Sequence, residues 1–267
     1  MKTISTALQV YSLCETFPEH PMETMQKIRK MGFDGVEFYG NHFEKDFYCH
    51  LLKESDLICA GWHTPIEDLE DGKFESTVER NLAVNNKYIC IPYFNAPDID
   101  SWKRFADRLN LVAEKLRPLG IRTGFHCHPH EFQAIDGQLP WYIVAENTSS
   151  DVILQLDTGN ALAGGGNILE ALERFPGRNQ TIHWKPYSRK DEFAVAVGKD
   201  DQDWKKIYSW CQTTGDTQWI ILEYESKDKD AGKKYTGISC IYQKFAMKYF
   251  AGIFYFLRLI FPTLSFY

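Results

Sequence analysis

The sequence predicts a closed (β/α)₈ barrel forming a single domain, on three observations. Short apolar runs of strand length alternate with longer amphipathic stretches from Ile4 to Tyr224, and eight such runs are present. The length, 267 residues, is close to the ~250 that such a barrel needs. Several runs finish in an acidic residue or a histidine, as strands do when their ends converge on one rim. A doubly wound open sheet is the competing reading. It more naturally carries a glycine-rich first turn, and none follows the first run. Gly164, Gly165 and Gly166 come after the sixth run instead, without the spacing or the Lys-Ser/Thr of a phosphate loop.

The first strand is expected over residues 4–13. A helix follows over 22–31, where Met22, Met25, Ile28 and Met31 fall three apart on one face and Gly32 stops it. Strand two is 35–39 and the next helix 42–54. Strand three is 57–63, then a helix over 75–85, then strand four over 88–93. The long helix 102–119 carries Phe105, Leu109, Val112 and Leu116 on one side and ends at Pro118 and Gly120. Strand five is 121–128, with a short helix at 139–146. Strand six is 152–157 and its helix 168–175, strand seven is 180–185 and its helix 203–212, and strand eight is 218–224. Residues 227–267 form an atypical apolar end. The stretch 246–267 is mostly aromatic and aliphatic, broken by Lys248, Arg258 and Pro262. Its uncharged run, 249–257, is too short for a bilayer, which takes about 20 apolar residues. A helix closing the barrel bottom, a peripheral or homo-oligomer contact, and an altered reading frame all remain open for it.

Composition narrows the function classes. Apolar residues make up 44% and the net charge is −6, so a sizeable core is expected and a nucleic-acid surface is not. Seven cysteines (Cys14, Cys49, Cys59, Cys90, Cys127, Cys211 and Cys240) are scattered with no Cys-x-x-Cys. Neither a zinc knuckle nor a disulfide framework is expected, and an odd count fits a reducing, cytoplasmic setting. Residues 1–6 lack the basic and apolar regions of a signal peptide.

The chemistry sits where strands end. Those positions hold Glu37, His63, His126, His128, Glu131, Asp157, His183, Lys185 and Glu223. Any one of them alone reads more simply as a hydrogen-bonded core histidine, a salt-bridge partner or a loop residue. Their recurrence at successive strand ends points to a divalent cation, because buried charges need partners and one cation satisfies several carboxylates. Two carboxylates with imidazoles suit Mn²⁺, Mg²⁺, Co²⁺ or Zn²⁺. Such a metal can stabilise the enediolate formed when a proton leaves the carbon beside a carbonyl. Tyr11, Trp62, Tyr93 and Trp184 are candidates to stack on a sugar ring, or simply to close the barrel mouth.

Several segments, taken in order, resemble the sugar phosphate isomerase/epimerase family of the xylose isomerase-like barrels, over residues 4–226. They are 9–13 (QVYSL), 32–37 (GFDGVE), 126–132 (HCHPHEF), 155–160 (QLDTGN), 183–188 (HWKPYS), 198–204 (GKDDQDW) and 222–225 (LEYE). The superfamily also includes D-tagatose 3-epimerases and apurinic endonucleases. The resemblance implies a metal held by Glu, Asp, His and Glu from strands five to eight, with the two glutamates as acid and base. Asp157, His183 and Glu223 match the last three. At strand five the match falls on His126, with Glu131 farther along, so either His126 is the ligand or Glu131 folds back to supply one. Metal ligation by His126, Asp157, His183 and Glu223 is therefore expected. Glu223, Glu37, Glu131 and Lys185 are the candidates for proton work, and His63, His128, Trp62 and Tyr93 for substrate binding. The endonucleases carry an additional histidine soon after the strand-six aspartate, where this chain has Thr158, Gly159, Asn160 and Ala161. The implied activity is isomerisation or epimerisation of a small sugar or sugar phosphate. A lyase or hydrolase of keto-sugar glycosides, and a sugar-binding barrel without turnover, are the alternatives.

Overall fold

A computed structural model describes residues 4–70, 72–195, 200–225 and residue 238. Its eight strands all run parallel. They are β1 (Ser5–Gln9), β2 (Gly35–Tyr39), β3 (Ile58–His63), β4 (Tyr88–Ile91), β5 (Arg122–His126), β6 (Ile153–Gln155), β7 (Thr181–Trp184) and β8 (Trp219–Leu222). Each pairs with its sequence neighbour from β1 to β6, β7 pairs with β8, and β8 pairs back onto β1. A parallel bridge between Asp157 and His183 joins β6 to β7, with His183 N donating to Leu156 O at 2.9 Å. Two of the residues singled out in the sequence thus close the cylinder.

The helices are α1 (Pro21–Met31), α2 (Lys45–Ser55), α3 (Phe74–Ala83), α4 (Ile99–Leu116), α5 (Pro140–Asn147), α6 (Thr158–Ala163), α7 (Ile168–Glu173) and α8 (Trp204–Thr213). Strand side chains alternate between the barrel interior and the helix layer. Phe38 and Trp62 face outward and pack with Tyr48 of α2. Phe125 packs outward with Trp102 and Phe105 of α4, and Trp184 with Trp204 of α8. The interior positions hold small residues low in the barrel, such as Ala7, and polar ones above them. In α1, Met25 and Ile28 are buried and Met22 and Met31 pack partly buried on the core. Gly32 ends the helix at φ 105°, a conformation that favours glycine.

Several elements are shorter than the sequence implies, for local reasons. Gln9 Oε1 accepts from Tyr11 N and bends residues 10–13 into a 3₁₀ turn, so β1 stops early. Pro92 follows the end of β4. The start of α4 lies earlier than expected because Asp98 caps it, accepting from Ser101 N at 2.7 Å. α6 occupies part of a stretch expected to be loop, and Asp157 is its N-cap. Among the described residues no helix is long and apolar enough to cross a membrane. The apolar segment 227–267 lies outside the described residues apart from Ile238, which is buried in the core.

Candidate metal centre

His126 ends β5, Asp157 lies two residues past the end of β6, Lys185 and Glu223 immediately follow β7 and β8, and His183 is within β7. Adjacent strands lie ~4.8 Å apart, so side chains at neighbouring strand ends can share one ion. One ligand atom each from His126, Asp157, His183 and Glu223 lies within 4.8 Å of the other three, and all four residues are buried. Asp157 Oδ1 accepts from Asn160 N at 2.7 Å, while Asp157 Oδ2 and His126 Nδ1 have no hydrogen-bond partner. Leaving such atoms unpaired costs ~1–3 kcal/mol each. An orphaned carboxylate oxygen and an orphaned imidazole nitrogen beside a second carboxylate, Glu223, fit a divalent cation, and two carboxylates with two imidazoles suit Mn²⁺, Co²⁺ or Zn²⁺.

His63, His126 and His183 also bring ring nitrogens within 4.8 Å of one another. The two groups differ in what their atoms already do. His63 Nε2 lies 2.8 Å from Gln155 Oε1, and its Nδ1 lies 3.4 Å from Gln9 Nε2. The protein thus occupies both nitrogens of His63, whereas His126 Nδ1 is orphaned. The mixed carboxylate–imidazole group is the better cation site.

Electrostatics bind the cluster together. Burial pushes the Asp157 carboxyl up to about 7, with Lys185 pulling against it. Burial also works against ionised Glu223, but Lys185 and the His183 bond hold that carboxyl well below its ordinary range. His183 Nδ1 is 2.6 Å from Glu223 Oε2, and its Nε2 is 2.6 Å from Glu37 Oε2. Burial would lower its pKa, yet the two carboxylates raise it to about 10. Lys185 Nζ sits 3.3 Å from Glu223 Oε1, 3.2 Å from Glu225 Oε2 and 3.9 Å from Asp157 Oδ2. Burial opposes its charge, and these carboxylates outweigh burial and keep it cationic.

Above the cluster opens a cavity of about 330 Å³, whose lining includes His63, His126, His128 and Glu223. Tyr11, Tyr39 and Tyr93 form its aromatic rim. The Tyr11 and Tyr39 rings meet edge to face at 5.2 Å, and Tyr93 meets His128 at the same separation.

Not every candidate joins this group. Trp62 is fully buried on the far side of β3, its Nε1 donating to Gly40 O at 2.7 Å. The period-2 alternation that turns His63 inward must turn Trp62 toward the helices. Trp184 faces the same way for the same reason. Glu131 stands apart as well. Its Oε2 accepts from His128 N at 2.7 Å, and burial pushes its carboxyl up to about 8. His130 Nε2 lies 3.1 Å from Glu131 Oε1 but directs its bond to Phe94 O, leaving Oε1 without a donor. It is His126, not Glu131, that meets Asp157, His183 and Glu223. Gln9, Gln155, Tyr39 and Glu225 were not among the expected site residues. Strand alternation held the signal: Gln155 precedes Asp157 by two positions and Glu225 follows Glu223 by two.

A family model described as the xylose isomerase-like TIM barrel matches residues 25–242. Inosose dehydratase from Lacticaseibacillus casei is 24% identical over 143 residues, which span 47% of this chain and 48% of that relative. The match thus takes in about half the length of each. A sugar phosphate isomerase/epimerase from Parabacteroides distasonis superposes with a TM-score of 0.81 at 18% identity, over 94% of this chain and 96% of the other. The IOLI protein, solved with a bound zinc atom, superposes with a TM-score of 0.68 at 15% identity, over 92% and 96%.

Proposed function

The chain belongs to the xylose isomerase-like TIM barrel family, and from that premise we propose that it is a metal-assisted isomerase or epimerase of a small polyhydroxylated carbonyl compound, acting by proton removal beside the carbonyl. The observation that carries this reading is the group of four buried ligand side chains, with orphaned Asp157 Oδ2 and His126 Nδ1, beneath a tyrosine-rimmed cavity. His126, Asp157, His183 and Glu223 would hold a divalent ion, which when bound would supply Lewis-acid polarisation of a substrate oxygen. Glu223 is held in its carboxylate form by Lys185 and His183, so the group offered as base is ionised at neutral pH. Lys185 places a fixed positive charge against the same carboxylate and steadies charge that develops next to it. Tyr11 and Tyr93 offer ring faces to the C–H surface of a sugar, and the buried walls around His126 and Asp157 keep bulk water from the reacting carbon.

A second reading, a dehydratase or other lyase, is favoured by His126. With an imidazole at the strand-five position the site has one glutamate in its ligand set, and elimination after proton removal needs one base. The resemblance to inosose dehydratase supports the same first step. The test is to incubate Mn²⁺- or Zn²⁺-loaded protein with a panel of ketoses and inososes in deuterated water. Deuterium is expected at the carbon beside the carbonyl, with an isomer recovered for the first reading and loss of water for the second. Asp157→Asn keeps a capping side chain for α6 but loses the charge, and exchange should fall about 100-fold or more, ~2.7 kcal/mol. If no compound exchanges faster than with Asp157→Asn, the proposal fails.

A further inference from the structure

Glu37 is a fully buried carboxylate on β2 that the proposed reaction leaves without a task, and it is not among the residues lining the cavity. Resting on the metal reading above, we propose that Glu37 is a positioning residue: its Oε2 holds the Nε2–H of His183 and so presents the other ring nitrogen, Nδ1, to the cation.

The distances define the two edges of the ring. His183 Nε2 is 2.6 Å from Glu37 Oε2. On the opposite edge, Nδ1 is 2.6 Å from Glu223 Oε2 and 3.8 Å from Asp157 Oδ2, so it faces the ligand carboxylates. Glu37 and Glu223 can both only accept, so the ring carries a proton on each nitrogen until a cation on the ligand side displaces the one on Nδ1; the proton beside Glu37 stays. In the neutral ring the lone pair then lies on Nδ1, the form a metal binds. Carboxylates behind metal-bound histidines set ring orientation and basicity in this way.

Glu37 is itself held in place. Gln155 Nε2 donates to its Oε1 at 2.8 Å and Gln9 Nε2 to its Oε2 at 2.7 Å. Each glutamine is anchored in turn, Gln155 by Thr181 Oγ1 at 2.9 Å and Gln9 by Tyr11 N at 3.0 Å. Gly61 makes room, since a Cβ there would stand 2.6 Å from Glu37 Oε1. Strands β1, β2, β3 and β6 thus converge on one carboxylate whose only partner among the four candidate ligands is His183. A proton carrier needs access to substrate and freedom to change partners, and Glu37 has neither.

Calorimetric titration with Zn²⁺ or Mn²⁺ tests this on wild type, Glu37→Gln and Glu37→Ala, alongside long-range ¹⁵N NMR of the His183 ring in the zinc-loaded protein. Glu37→Ala should bind metal roughly 10–100-fold more weakly. Glu37→Gln should lie between it and wild type, because an amide oxygen still accepts from Nε2. The spectrum should show Nε2 protonated and Nδ1 bound to metal. Unchanged metal affinity in both variants, with deuterium exchange abolished, would make Glu37 a proton carrier and overturn the inference while leaving the metal site intact. A proton on Nδ1 overturns it as well, and that reading needs only wild type if the variants do not fold. A wild type that binds no divalent ion removes the metal reading and this inference together.

Discussion

Glu131 is a carboxyl whose surroundings favour its neutral form. Burial lifts it to about 8, against ~4.3 in an unfolded chain. A carboxyl raised on folding contributes stability that is fully present below the unfolded value and is lost as pH rises toward the folded one. Wild type should therefore lose up to ~1.4 kcal/mol per pH unit relative to Glu131→Gln between roughly pH 4.5 and 8. Urea unfolding at several pH values measures this, and parallel profiles for the two proteins would rule it out. The sequence marks Glu131 as ionisable and close to strand five. It does not reveal that the side chain turns back onto its own backbone at His128. A three-residue loop-back depends on the 3₁₀ turn over Pro129–Phe132, which periodicity does not register.

At the scale of elements, strand alternation decides which side chains meet. His63 and Trp62 are adjacent in the chain and end on opposite faces of β3, one in the polar network and the other among Phe38 and Tyr48. The same parity puts Gly61 against Glu37. Gly61→Ala should destabilise the fold by ~1–3 kcal/mol, the usual range for overpacking, because the added Cβ meets Glu37 Oε1 at 2.6 Å and the carboxylate is pinned by two glutamines. Chemical denaturation reads this directly, and wild-type stability in the variant would mean that Glu37 has room to shift. The number and order of strands were legible from the apolar runs. Their ends were not, since Gln9 and Asp98 terminate or start elements through single side-chain hydrogen bonds.

For the whole molecule, the closed ring gathers charges from across the chain into one buried cluster. His183 is raised to about 10 and Asp157 to about 7, so protons occupy part of the ligand set at neutral pH. Metal must displace them, and binding at pH 7 should release about one proton or more, with affinity rising as pH increases from 6 to 8. Calorimetry in buffers of different ionisation enthalpy counts the protons. Binding without proton release, or affinity that falls with pH, would contradict the arrangement of His183 between Glu37 and Glu223.

The order of apolar runs determined the eight-stranded barrel, and the acidic and histidine residues at their ends marked Asp157, His183 and Glu223, because hydrophobic periodicity and strand-end chemistry are local properties of the chain. Strand alternation by itself turns Trp62 and Trp184 away from His63 and His183. Only the tertiary structure decided that His126 rather than Glu131 joins Asp157, His183 and Glu223, and that Gln9, Gln155 and Glu37 form a cradle behind His183. Those outcomes depend on closure of the ring, which brings residues such as Glu37 and His183 within 2.6 Å although they are far apart in sequence.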